Sequence, residues 1–312
     1  MYVQEGWTAR DGLKFAHRII RHPDPGFSPT LFVSGAFQTM DSWARFAAPF
    51  ARETTVLLVD PPGMGASDLL PAEVGVDFLA ACLQQVLDEH GIEGANVIAA
   101  SYGTPSALRL AQTRPHRVNR IVLAGTMREL PPALHARIAA AAELARGLHR
   151  VALADVCVEG MLCRDHERPV ERRGLAARVL RAGILRMSDP DLLKFAANTE
   201  RLLRHAPIDI SQPIAGPEAL VFTGEHDCFT LPAACREVAA AFERVWFTTI
   251  RRADHLFHLE RPDTVLDIFL RFMRRTLTLT PTAGWSELEP LDDGVATRAA
   301  RVQAGLRCAA TP

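Results

Sequence analysis

Lysine is nearly missing from this chain of 312 residues. Only Lys14 and Lys194 occur, so its 35 basic residues are almost all arginine. With 36 acidic residues the formal net charge is −1, which leaves no global field to gather DNA, RNA or anionic lipid. No run of eighteen apolar residues exists, so no membrane span is expected. The start, Met1-Tyr2-Val3-Gln4-Glu5-Gly6, has no basic region leading into an apolar stretch and does not read as a secretory leader; a cytoplasmic location is expected. The six cysteines (Cys82, Cys157, Cys163, Cys228, Cys235, Cys308) are scattered, and in that setting they are expected to be reduced. Cys157, Cys163 and His166 come nearest to a metal cluster but lack a second paired set, so no metal is expected. No internal repeat is visible. The low-complexity content is confined to an alanine-rich stretch near Ala139 to Ala142. Nothing in the sequence sets an oligomeric state.

What is present is an alternation of strand-like and helix-like segments. Trp7 to Ile20 reads as two strands joined at Asp11-Gly12, a hairpin signal. Apolar strands follow at Thr30 to Ser34, Thr54 to Val59, Asn96 to Ala100 and Arg120 to Ala124. Between them lie helices at Ser42 to Arg52, capped by Asp41, at Val76 to His90 and at Thr104 to Thr113. The alternation then breaks. Residues 127 to 214 show only helical patterns, at Leu134 to Arg150, Ala152 to Cys163, Arg172 to Leu185 and Asp189 to Leu203. Strands return at Leu220 to Thr223 and Val245 to Ile250, with helices at Ala233 to Phe242 and Asp263 to Leu277. This order predicts an α/β fold with a mostly parallel eight-stranded sheet flanked by helices. The core is expected over 1–126 and 215–280, with a helical cap inserted after the sixth strand over 127–214. Residues 281–312 form a tail of unknown structure.

Three places carry chemistry. Ala99-Ala100-Ser101-Tyr102-Gly103 spans a strand-to-helix junction, where a tight turn between small residues holds a serine oxygen clear of both elements. The helix that starts there adds a favourable dipole for a developing oxyanion. Gly224-Glu225-His226-Asp227 places carboxylates at the C-terminal end of a strand, the edge where open α/β sheets build their sites. Asp227 is the candidate acid, and Glu225 competes from a position nearer the strand. Ala253-Asp254-His255-Leu256-Phe257-His258 follows the last strand, with His255 and His258 as candidate bases. Serine, acid and histidine in that chain order, each just after a strand, form the pattern of nucleophile, orienting acid and base.

These motifs resemble the α/β-hydrolase superfamily, in its capped group of esterases, lactonases and C–C hydrolases. Asp60-Pro61-Pro62-Gly63-Met64-Gly65-Ala66-Ser67-Asp68 is similar to that family's D-x-x-G-x-G-x-S-D loop, and His255 with Glu260-Arg261-Pro262 to its H-x4-E-x-P ending. The ending selects His255 over His258. The likeness covers roughly residues 8 to 277. The resemblance implies Ser101 as nucleophile, His255 as base and Asp227 as orienting acid. It also implies an oxyanion hole from the backbone N–H groups of Ala36 and Tyr102, with Phe37 as a substrate contact. Two departures are plain: Ser34-Gly35 stands where the family has His-Gly, and Asp254 where it has Gly before the histidine. A narrower likeness joins Ser34-Gly35-Ala36-Phe37 and the Ser101 segment to the acyltransferase that links two 3-hydroxyacyl chains in rhamnolipid precursor synthesis. The expected activity is hydrolysis of an ester, thioester or lactone of a small acyl substrate through an acyl-serine, without a cofactor. Two alternatives stay open: an acyltransferase or cyclase with the same triad, and a non-catalytic hydrolase-fold ligand receptor.

Overall fold

The computed structural model describes residues 2–204, 208–278, 284–286 and 288–291. The chain begins with the expected hairpin, β1 (Tyr2–Arg10) and β2 (Leu13–Arg21). Asp11 and Gly12 take φ of 48° and 83°, the left-handed turn that matches the twist of paired strands. Both strands run longer than the sequence signalled, because Tyr2 to Gly6 pair with 17 to 21 on an exposed edge that carries no apolar alternation. Then come β3 (Thr30–Val33), α1 (Ala44–Phe50), β4 (Val56–Asp60), α2 (Val76–Glu89), β5 (Ala95–Ala100), α3 (Thr104–Thr113) and β6 (Val118–Ala124). Four helices follow without a strand: α4 (Pro132–Arg146), α5 (Arg150–Met161), α6 (Arg173–Arg186) and α7 (Asp189–Arg204). The chain returns through β7 (Ile214–Gly224), α8 (Pro232–Ala239), β8 (Phe242–Ile250), the short α9 (Phe257–Glu260), α10 (Pro262–Met273) and β9 (Glu289–Pro290).

The sheet order is β1-β2-β4-β3-β5-β6-β7-β8-β9. Strands β3 to β8 run parallel, with β1, β2 and β9 antiparallel at the edges. The expected eight strands are joined by a ninth of two residues. Trp285, 2% exposed, packs under the sheet and brings Glu289–Pro290 against β8. A lone tryptophan in a mixed tail gave the sequence no period to read.

Alternate residues of each strand face opposite layers. Leu31, Val33, Val97 and Ala99 join α2, α3 and α8 in one apolar cluster. Phe32, Ile98 and Ala100 join α1 and α10 in another. A third cluster is built from α4 to α7 and includes Leu256, with Phe37 packed against it. The inserted helices thus rest on both the loop after β3 and the loop after β8. One local expectation fails: Asp41 does not cap α1. A 3₁₀ turn over Met40–Trp43 comes first, with Thr39 at its N-cap donating its N–H to Ser42 Oγ at 3.1 Å. Asp41 instead pairs with Arg18 at 2.7 Å, since a partner on β2 outcompetes a local cap. Among the described residues no helix is long and apolar enough to cross a membrane.

Candidate active site

Strand β5 stops at Ala100 and the chain turns sharply into α3, with Ser101 in the left-handed region at φ 45°. A residue with a side chain adopts that conformation only when its surroundings impose it. Gly103 shows what imposes it here. A Cβ on Gly103 would sit 2.6 Å from the Ser34 carbonyl oxygen and 2.9 Å from that of Val33. The turn is therefore pressed against β3, and Ser101 is levered up at the strand end. Ala99, in place of the more usual glycine, is fully buried and fits without strain.

Ser101 Oγ lies 3.1 Å from His255 Nε2, and His255 Nδ1 lies 2.9 Å from Asp227 Oδ2. All three sequence candidates meet. Glu225 does not reach the imidazole: it accepts the Arg252 N–H at 2.8 Å on the surface. His258 does not either. It is half-buried, with its basicity pushed down to about 4 by desolvation and by His255, and its Nε2 accepts from Gln38 Nε2 at 3.2 Å. Gln38 Oε1 in turn accepts the Gly35 N–H at 2.8 Å. The competing histidine thus braces the loop after β3.

The acid is held on every side. Asp227 Oδ1 accepts the Phe229 and Thr230 N–H groups, both at 2.8 Å. Its Oδ2 accepts the Thr223 and Thr230 hydroxyls as well as His255. Burial alone would push this carboxyl up, but His255 and these donors hold it below the usual carboxylate range. For His255 burial favours the neutral ring. Asp227 first, then Asp254 and Glu260, outweigh that and hold the imidazole above its ordinary value. Thr223, Thr230, Gln38 and Gly125 were missed in the sequence. Gly125, φ 68°, passes so close that a Cβ there would lie 3.1 Å from Thr230 Oγ1 and 3.4 Å from the His255 ring. Only a glycine following a strand end hinted at it.

Ala36, Ser101 and Tyr102 line one cavity of about 280 Å³. The Ala36 N–H meets no acceptor among the described residues. Phe37, at φ 61°, turns its ring onto Phe195 of α7, with centroids 4.3 Å apart. The cavity runs between the strand ends and helices α4, α5 and α7 and is mainly apolar, with Val156, Met161 and Leu202 among its walls.

The two departures from the family motifs are accommodated differently. Ser34 Oγ accepts the Trp43 indole N–H at 3.0 Å, a neutral buried contact. Asp254 is fully buried, accepting the His255 N–H at 2.7 Å through one oxygen and the Cys163 N–H through the other. It ties the end of α5 to the histidine loop. The Asp60–Asp68 loop forms the floor beneath α7. Met40 N–H bonds Asp60 Oδ1 at 2.7 Å, Ala16 N–H bonds Ser67 Oγ at 2.9 Å, and Lys14 N–H bonds Asp68 Oδ2 at 2.6 Å. Gly65, φ 48°, passes so close to the Asp60 carboxylate that any Cβ would overlap it.

Residues 29–156 match the family model described as alpha/beta hydrolase fold. Over that stretch the chain is similar to the α/β-hydrolase family, and the sheet order and site geometry above are those of its fold. Over 105 residues it is 36% identical to the 2-hydroxy-6-oxononadienedioate/2-hydroxy-6-oxononatrienedioate hydrolase of Paraburkholderia phymatum, covering 32% of this chain and 36% of that one. Over 98 residues it is 34% identical to the dihydrolipoyllysine-residue acetyltransferase component of the acetoin cleaving system of Cupriavidus necator, covering 31% and 26%. The matches thus span only about a third or less of these relatives' length. Among solved structures, the enol-lactonase of Burkholderia xenovorans superposes with a TM-score of 0.71 at 22% identity, over 86% of this chain and 99% of its own. An alpha/beta hydrolase enzyme from a Medee basin deep-sea metagenome library gives 0.73 at 18%, over 89% and 100%. At such identities the likeness establishes this hydrolase fold.

Proposed function

We propose that this hydrolase-fold protein is a serine-dependent enzyme that cleaves an ester, thioester or lactone through an acyl-serine. The observation that carries the reading is the relay from Ser101 Oγ, 3.1 Å to His255 Nε2, and from His255 Nδ1, 2.9 Å to Asp227 Oδ2. His255 takes the serine proton as Oγ attacks the acyl carbon. Asp227 fixes the ring with Nε2 toward the serine and stabilises the imidazolium. The tetrahedral oxygen is held by the N–H groups of Ala36 and Tyr102, with the α3 dipole behind it. His255 then passes its proton to the leaving group, and a water activated by the same ring releases the acid. Helices α4 to α7 serve as the cap that shields these charges from bulk water. The names of the relatives support hydrolysis.

A second outcome shares the covalent intermediate: an alcohol or amine takes the acyl group in place of water. The matched relative named as an acetyltransferase and the largely apolar cavity favour it. Fluorophosphonate labelling with peptide mapping tests the common step. Label on Ser101 that is lost in Ser101→Ala and falls steeply in Asp227→Asn and His255→Ala is the expected result. A folded wild type that resists labelling would overturn the reading. Product analysis with and without added alcohol then separates transfer from hydrolysis.

A further inference from the structure

Four cationic side chains, Arg128, Arg137, Lys194 and Arg201, line the Ser101 cavity against two carboxylates, Glu129 and Asp191. Two of the cations have acidic neighbours. Arg128 pairs with Glu237 at 3.3 Å, and Lys194 lies 3.8 Å from Asp191 while donating to the Gly65 carbonyl at 2.7 Å. Glu129 is exposed and makes no ion pair among the described residues.

Arg201 is 2% exposed and meets no carboxylate among the described residues. Its donors go to the carbonyls of Leu70, Pro71 and Val74, to Asn198 Oδ1 and to the Tyr102 hydroxyl. Those bonds satisfy its geometry and leave its charge uncompensated. Arg137 is barer still. It is half-buried on the α4 wall, and no hydrogen bond or ion pair engages its guanidinium among the described residues. It lies against α5 at Gly160, where a Cβ would come within 3.0 Å of Arg137 Nε. A side chain at 160 would have to push the guanidinium aside. A planar cation held on a cavity wall without a partner is a waiting bidentate site for a carboxylate or phosphate.

We infer that the compound reaching Ser101 carries an anionic group, and that the Arg137 guanidinium takes that group in two parallel N–H···O bonds while the acyl carbon lies at the serine. The inference rests on the acyl-serine reading for its second half only, since the anion site is defined by Arg137 and the cavity alone. Arg201 adds a fixed positive potential to the same cavity without itself donating to the ligand.

The test uses Ser101→Ala protein, which binds without turnover. Calorimetry would compare monomethyl adipate, its neutral dimethyl diester and the methyl ester of 6-phosphohexanoic acid. At least one anionic ligand should bind about tenfold more tightly than the diester. That preference should shrink to within about twofold in Ser101→Ala/Arg137→Met and persist in part in Ser101→Ala/Arg137→Lys. Which anion wins tells carboxylate from phosphate. Thermal unfolding of each variant checks that the cavity is intact, and the lysine variant keeps the test open if the methionine variant misfolds. Equal binding of anionic and neutral ligands, or a preference that survives loss of the guanidinium, would overturn the inference. Failure of Ser101 to take a fluorophosphonate, with the charge preference intact, would sink the acyl-serine reading and leave the anion site standing.

Discussion

Ser101, His255 and Asp227 each need something different from their surroundings. The serine needs a strained backbone, the histidine a buried face, and the aspartate five donors around its two oxygens. Replacing Asp227 with Asn removes the charge and offers the ring the wrong tautomer, so kcat/KM or labelling rate should fall by about 10⁴-fold. The same pair sets the pH profile. In the proposed mechanism His255 acts as base only when neutral, and its basicity is raised in the folded state. The acid limb of the labelling rate should therefore lie above pH 6.5, its ordinary value, and rates measured from pH 5 to 9 would show it. A limb at or below 6.5 would mean that burial outweighs Asp227. His258, pushed down to about 4, stays neutral over that whole range and works only as an acceptor for Gln38. Gln38→Leu should release the Gly35 N–H and lower kcat by roughly tenfold or more, with KM nearly unchanged; a pure KM effect would refute a role in holding the oxyanion loop.

Between elements, the contacts that matter are close approaches of backbone that leave no room for a Cβ. The turn into α3 touches β3 through Gly103, and the loop after β4 touches its own Asp60 through Gly65. Gly103→Ala should cost about 2–4 kcal/mol in chemical unfolding and abolish labelling, because the turn must lift away from β3. Wild-type stability in that variant would show that the junction is looser than the distances indicate. Helix α7 is fastened to the core by polar reach as well as by apolar contact: Asn198 donates to the Gly63 carbonyl at 2.8 Å and Arg201 to three more carbonyls. Its amphipathic period was plain in the sequence. Which of its polar residues faced inward was not, because a buried arginine and a solvated one look alike in a linear pattern.

Across the whole molecule, buried carboxyls gather behind the histidine loop. Glu260 is 1% exposed, accepts the Asp254 N–H at 2.6 Å and has its carboxyl pushed up to about 8, by burial first and then by Asp254 and Asp227. In the unfolded chain it ionises near its ordinary 4.5. Between those values the folded state holds more protons, so stability falls as pH rises. Wild type should lose stability relative to Glu260→Gln from pH 5 to 9, by on the order of 2–4 kcal/mol in denaturant titrations. Parallel curves for the two proteins would show that Glu260 is ionised in the fold.

Order along the chain settled the fold class. Apolar runs of strand length, punctuated by glycine and proline and alternating with 3.6-period segments, admit little besides a covered parallel sheet. The break in alternation after Ala124 marked the inserted helices, and small-x-serine-x-glycine marked the junction. These signals are local, and local signals survive in a sequence. Asp227 and His255 were both named from the sequence, His255 through the H-x4-E-x-P ending; the packed chain adds that Glu225 turns to the Arg252 N–H and His258 to Gln38. Thr223 and Thr230 around Asp227, Gln38 behind the loop after β3 and Arg137 on the cavity wall lie far from Ser101 in sequence and carry no motif. Their roles come from burial and from which polar groups the fold brings together or leaves without a partner, and those are properties of the packed chain alone.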